Sequence, residues 1–155
     1  MNTRITSSGH RALRRGRHSQ PNQVYLVTTV THERRPLFAD LECARVLVRV
    51  LQQEDRMGYT HTWAFVVMPD HLHWLFALGE HGHLSAVMRR VKSVSGHRLA
   101  ARLGVRRVWQ ASYHDHALRR EEDLRALARY VVYNPVRAGL VAHPRDYPHW
   151  DARWL

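Results

Sequence analysis

A chain of 155 residues with an ordinary apolar share is long enough to bury a core, and it reads as one domain behind a basic arm. No apolar run reaches the ~18 residues of a membrane helix, and the single Cys43 excludes an internal disulfide framework or a cysteine-rich zinc site. The formal charge is +11, carried almost wholly by arginine, with Lys92 the only lysine; this points to nucleic acid ahead of an anionic membrane surface.

Residues 1–22 show neither helical nor strand period. Arg14, Arg15 and Arg17 stand there among small polar residues, so the segment reads as a mobile basic arm able to lie along phosphates, with a solvated tail as the plain alternative. It has no apolar signal-peptide core, and a cytoplasmic, nucleoid-associated protein is expected. Residues 23–155 read as the single domain. Val24 to Thr31 is β-branched and aromatic, a first strand. Asp40 is a candidate N-cap for a helix whose apolar stripe is Leu41, Ala44, Leu47, Val48 and Leu51, stopped by Gly58.

Next come two apolar runs parted by Pro69-Asp70, a turn signal, so a β-hairpin is predicted over Trp63 to Leu78, with Trp63, Phe65 and Val67 on one face. A helix follows from His83 to Leu103, with Leu84, Val87, Met88, Val91 and Leu99 as its apolar positions and Arg89, Arg90 and Lys92 as candidate DNA contacts. Tyr113 to Leu118 reads as a fourth strand. Glu121-Glu122-Asp123 opens a last helix with the stripe Leu124, Leu127, Ala128 and Val131, ended by Pro135 at Asn134. The aromatic tail from Ala142 is expected to pack back on the body. Strand, helix, strand, strand, helix, strand is the order of an α+β, ferredoxin-like antiparallel sheet with helices on one face, here followed by a further helix.

The hairpin holds the first chemical signal. Residues i and i+2 of a strand share a face, so His71 and His73 project together while Leu72, Trp74 and Phe76 pack behind them. Two imidazoles on a stiff strand are half of a metal site; two solvated histidines are the alternative. On the last helix Tyr130 and Asn134 are one turn apart. Two imidazoles and an amide oxygen suit Mg²⁺ or Mn²⁺ with open positions, better than a closed zinc site. A metal there would polarise a phosphodiester, and Tyr130 would reach the same phosphorus as a nucleophile. Tyr133 is a rival, but it lies on a different part of the helix surface. His114, Asp115 and His116 are candidates to orient a ligand histidine or shuttle a proton; strand-edge polarity explains them as well.

Val67-Met68-Pro69-Asp70-His71-Leu72-His73, followed by Tyr130-Val131-Val132-Tyr133-Asn134-Pro135-Val136-Arg137-Ala138-Gly139-Leu140-Val141, resembles the REP-associated tyrosine transposases, single-tyrosine HUH transposases of bacteria. Trp109-Gln110 and Tyr113 to His116 fit the same pattern, and the likeness runs over about residues 24–150. The resemblance implies that His71, His73 and Asn134 hold the metal, and that Tyr130 attacks single-stranded DNA at hairpin-forming palindromic repeats. A 5′-phosphotyrosine link and a free 3′-hydroxyl would result. The implied partner is a single-stranded DNA hairpin, with no membrane, and a monomer or homodimer is expected. From another class comes a catalytically silent hairpin-binding or regulatory protein. A histidine-triad phosphohydrolase would want a third histidine two residues beyond His73, where Leu75 stands.

Overall fold

The computed structural model describes residues 20–119 and 122–153, so most of the basic arm, with Arg14, Arg15 and Arg17, lies outside the described residues. Its elements are β1 (Val24–Val30), α1 (Leu41–Arg56), β2 (Thr60–Met68), β3 (His71–Leu78), α2 (Leu84–Leu103), β4 (His114–Ala117), α3 (Leu124–Val132), a short α4 (Asn134–Arg137) and β5 (Trp150–Ala152). The strands form one sheet in the order β4-β1-β3-β2-β5, every neighbouring pair antiparallel. The first four strands thus have the split β-α-β arrangement that the element order predicts.

Strand alternation divides the interior in two. Leu72, Trp74, Phe76 and Leu78 of β3, with Tyr25, Val27, Phe65 and Val67, meet the buried stripes of α1 and α2. Ala64, Val66, Met68 and Leu75 face the other way and meet Ala128, Val131 and Val132 of α3. The last helix therefore covers the face that α1 and α2 leave open. Local signals set several boundaries. The Asp40 carboxylate accepts from Cys43 N at 3.0 Å, and the Asp123 carboxylate caps α3 by accepting from Arg125 N at 2.8 Å.

The structure departs from the sequence reading in four places. A register shift between Thr62 and Ala64 puts Trp63 at a bulge, so it packs against the α3 cluster rather than beside Phe65 and Val67. Leu41 is 44% exposed, because the buried stripe of α1 begins one turn on, at Cys43 and Ala44. Pro135 does not end the helical path. α3 stops at Val132 and the buried Pro135 sits in the first turn of α4, a position whose backbone angles suit proline. The tail packs back as expected, and it also adds an edge strand, β5, beside β2.

The basic side of α2 also changes meaning. Arg90 clamps the buried Glu54 of α1 through Nε to Oε1 at 3.0 Å and Nη2 to Oε2 at 2.9 Å, and its guanidinium lies 4.0 Å from the Tyr59 ring centroid. Lys92 Nζ donates to the carbonyls of Gln110 and Ser112 at 2.5 and 3.0 Å, tying the loop after α2 to the helix. Both side chains serve the fold. Arg89 is exposed, but α2 lies on the sheet face opposite His71 and His73. Arg90→Ala should therefore lower stability by about 2 kcal/mol or more, read from the urea midpoint, because it leaves Glu54 buried and unpaired; an unshifted midpoint would remove the clamp.

Candidate active site

His71 and His73 stand side by side on β3. The register sets His71 between Val30 and Met68, and His73 between Thr28 and Val66, so the pair shares a face with Leu75 and α3. Their rings are edge to face, with centroids 4.8 Å apart. Each ring is fixed through Nδ1. His71 Nδ1 donates to Asp70 Oδ1 at 2.6 Å, since a carboxylate can only accept. His73 Nδ1 pairs with Thr28 Oγ1 at 2.8 Å. In both rings Nε2 is the nitrogen left for a ligand.

The electrostatics keep His73 uncharged. Burial pulls the His73 imidazole down to about 4, with further push from the neighbouring His71 and Arg137 charges, so the ring is neutral at pH 7. Burial raises the Asp70 carboxyl, but His71 and Arg34 outweigh it and hold the group below its ordinary range. Arg34 Nη1 lies 3.3 Å from Asp70 Oδ2, so Asp70 is itself anchored. Among the described residues no three His, Cys, Asp or Glu side chains cluster to hold a metal, and an amide oxygen is a further kind of hard donor.

The end of α3 supplies a candidate. Pro135 has no N–H for the ladder, so the last carbonyls of α3 need other donors. Asn134 Nδ2 lies 3.3 Å from Val131 O and 3.5 Å from Tyr130 O. Carbonyls only accept, so the amide nitrogen faces them and Oδ1 is turned away from them. Arg137 Nη2 also donates to Tyr130 O, at 2.5 Å, while its Cζ sits 3.9 Å from the Tyr130 ring centroid. Tyr130 is 50% exposed, and Arg137 lies within electrostatic reach of His73. Tyr133 is 46% exposed at the break between the two helices.

The candidates on β4 separate. His114 pairs with Thr28 and His116 with Leu26, so both take the histidine face, whereas Asp115 pairs with Val27 and takes the other. His116 Nε2 meets the Glu122 carboxylate at 2.9 Å, joining the edge strand to the approach of α3. Thr28 and Asp70 hold the His73 and His71 rings. Asp70 was visible in the motif as turn chemistry. Thr28 has no signal of its own, because only the β1–β3 register brings it to His73. Arg137 lay in the quoted motif without a role.

Residues 19–134 match the family model described as "Transposase IS200 like". A REP-associated tyrosine transposase of Escherichia coli (strain K12) is 33% identical over 86 residues, covering 55% of this chain and 50% of that protein. The chain spans about half the length of the curated relatives it matches, 50% and 56%. A solved REP-associated tyrosine transposase bound to a REP hairpin superposes with TM-score 0.72 at 24% identity, over 86% of this chain and 79% of that one. A crystal structure from Deinococcus radiodurans R1 superposes with TM-score 0.55 at 21% identity, over 77% of this chain and 95% of that one. At those identities the two structures show a shared fold. The resemblance to REP-associated tyrosine transposases read from the two motifs is thus borne out, and the family match takes in both the paired-histidine strand and the segment from Tyr130 to Asn134: the chain belongs to the IS200-like transposase family.

Proposed function

We propose that this chain cleaves and rejoins single-stranded DNA at hairpin-forming, REP-like palindromic repeats, with Tyr130 as the nucleophile. The observation that supports it best is one sheet face carrying two Nε2-presenting histidines beneath a helix with a half-exposed tyrosine. The names of the relatives point to the same substrate class.

The donors fit a hard divalent cation. His71 Nε2, His73 Nε2 and Asn134 Oδ1 would hold Mg²⁺ or Mn²⁺, leaving positions for water and a phosphate oxygen. Bound there, the cation supplies positive charge against the developing charge of the phosphodiester. The protein supplies the rest. Asp70 and Thr28 hold the two rings in the orientation that presents Nε2. Arg137 fixes the Tyr130 ring and places a cation beside the phenol. Tyr130 Oη forms a bond to phosphorus, the P–O3′ bond breaks, and the departing oxygen takes a proton as a 3′-hydroxyl. One phosphate ester replaces another, so that hydroxyl can attack the 5′-phosphotyrosine and restore the strand without ATP. The N-terminal arginines Arg14, Arg15 and Arg17 would add backbone contacts. No helix of the described residues is long and apolar enough to cross a membrane; work on nucleoid DNA in the cytoplasm belongs to the proposal.

Hairpin oligonucleotides incubated with protein and Mn²⁺ should give an adduct that survives a denaturing gel, and Tyr130→Phe should abolish it while binding stays within about twofold. An adduct formed by Tyr130→Phe would make another group the nucleophile, and binding without any adduct from the unaltered chain would favour the silent hairpin-binding protein. Calorimetry tests the metal donors separately. Asp70→Ala and Thr28→Val should each weaken Mn²⁺ binding by roughly tenfold or more, through loss of ring orientation; unchanged affinity in both, and in His71→Ala, would sink the metal assignment.

A further inference from the structure

A cleft of about 680 Å³ lies away from the histidines, between α1 and the C-terminal strand. Its floor is apolar, with Val48, Leu51 and Phe65. Its rim is cationic, with Arg45 and Arg49 from α1 and Arg153 just past β5. The spacing 45, 48, 49 keeps these side chains on one stripe of the helix. Arg49 is exposed and pairs with no carboxylate among the described residues. Arg153 is held from two sides: Nε donates to Thr62 O at 3.1 Å, and Cζ lies 4.6 Å from the Trp63 ring centroid. Those contacts leave its two terminal nitrogens to face a ligand.

Of the rim cations, Arg45 is already paired with Glu42, Nη1 to Oε1 at 2.9 Å, which leaves Arg49 and Arg153 as the open charges, while the two acids of the cleft turn to partners of their own. Asp55 accepts from Thr60 Oγ1 at 2.6 Å and from Thr62 Oγ1 and N at 3.0 and 3.2 Å, so its lone pairs are turned into the protein. Asp151 Oδ1 accepts from Ala152 N at 2.8 Å. What remains is two arginines, Arg49 and Arg153, above an apolar floor, the pairing that takes a phosphate backbone with its bases turned inward. β5 is the second strand beyond β3, about 10 Å away across the sheet, and the cleft opens on the α1 face, so a strand passing from the histidine face reaches it around the β2–β5 edge.

We infer that the α1–β5 cleft is a second binding site, which takes a single-stranded DNA segment continuing past the candidate active site over the β2–β5 edge. Arg49 and Arg153 each neutralise a phosphate there, and the apolar floor receives a base. The assignment rests on the reading of the chain as a protein that handles single-stranded DNA. An acidic peptide is the competing occupant; charge alone admits it, but the net charge of +11 and the transposase family favour nucleic acid.

The test is the salt dependence of binding to a short labelled oligothymidylate, read by anisotropy. Arg49→Ala and Arg153→Ala should each reduce the log–log slope by about 0.7, and the double variant by about 1.4, as expected per phosphate contact on a single strand. Arg98→Ala, at an exposed position of α2 that does not line the cleft, should leave the slope unchanged. Unaltered slopes in the cleft variants, or an equal fall in Arg98→Ala, would overturn the cleft assignment alone. Absence of salt-dependent binding by the unaltered chain would instead remove the single-strand reading and the cleft with it.

Discussion

The two-residue period of β3 is the constraint on which this molecule depends. One strand must bury Leu72, Trp74, Phe76 and Leu78 and, on its other side, present His71 and His73. The apolar side is emphatic. Trp74 is fully buried, donates its indole N–H to Thr62 Oγ1 at 2.9 Å and packs on Phe76 with centroids 3.9 Å apart. Burying each such ring is worth about 2–3 kcal/mol. A slip of one residue would drive both imidazoles into the helical core and turn Trp74 toward α3. The core thus sets the direction of the chemistry: large rings on one side hold small, polar, hydrogen-bonded rings on the other.

A strained turn extends that control. Glu33 and Arg34 are consecutive non-glycine residues in the left-handed region, at φ 56° and 52°, each costing about 1–2 kcal/mol. Thr31 steadies the turn, donating from Oγ1 to Arg35 O at 2.8 Å and from its backbone N to Asp70 O at 2.9 Å. The result is a guanidinium set against Asp70, which in turn holds His71. A chain from turn to carboxylate to imidazole makes a surface loop part of the orientation of a ring.

How much of this was legible depended on range. Asp40 as a cap, the shared face of His71 and His73, and the one-turn spacing of Tyr130 and Asn134 are local facts, written in neighbouring residues. Trp63 was misplaced because a bulge adds a residue that a period of two cannot reveal. Arg90 and Lys92 looked like a basic helix face, yet their partners are 36 residues back and 18 or 20 residues on, and only the packing of the helices joins them. Thr28 was silent for the same reason. β5 is three residues long, and Trp150 to Ala152 become a strand only because β2 offers them a ladder.

That short strand has a consequence for how the protein keeps company with its own kind. An uncovered β2 would show its open amides and carbonyls to any extended chain. Trp150 to Ala152 fill that row, and the Tyr147 hydroxyl takes the Val67 carbonyl just beyond it. The opposite flank, β4, is four residues long and carries His114, Asp115 and His116, too brief and too polar to invite a further strand. With both flanks blunted, the sheet offers no long open row of amides and carbonyls on which a second copy could add a strand.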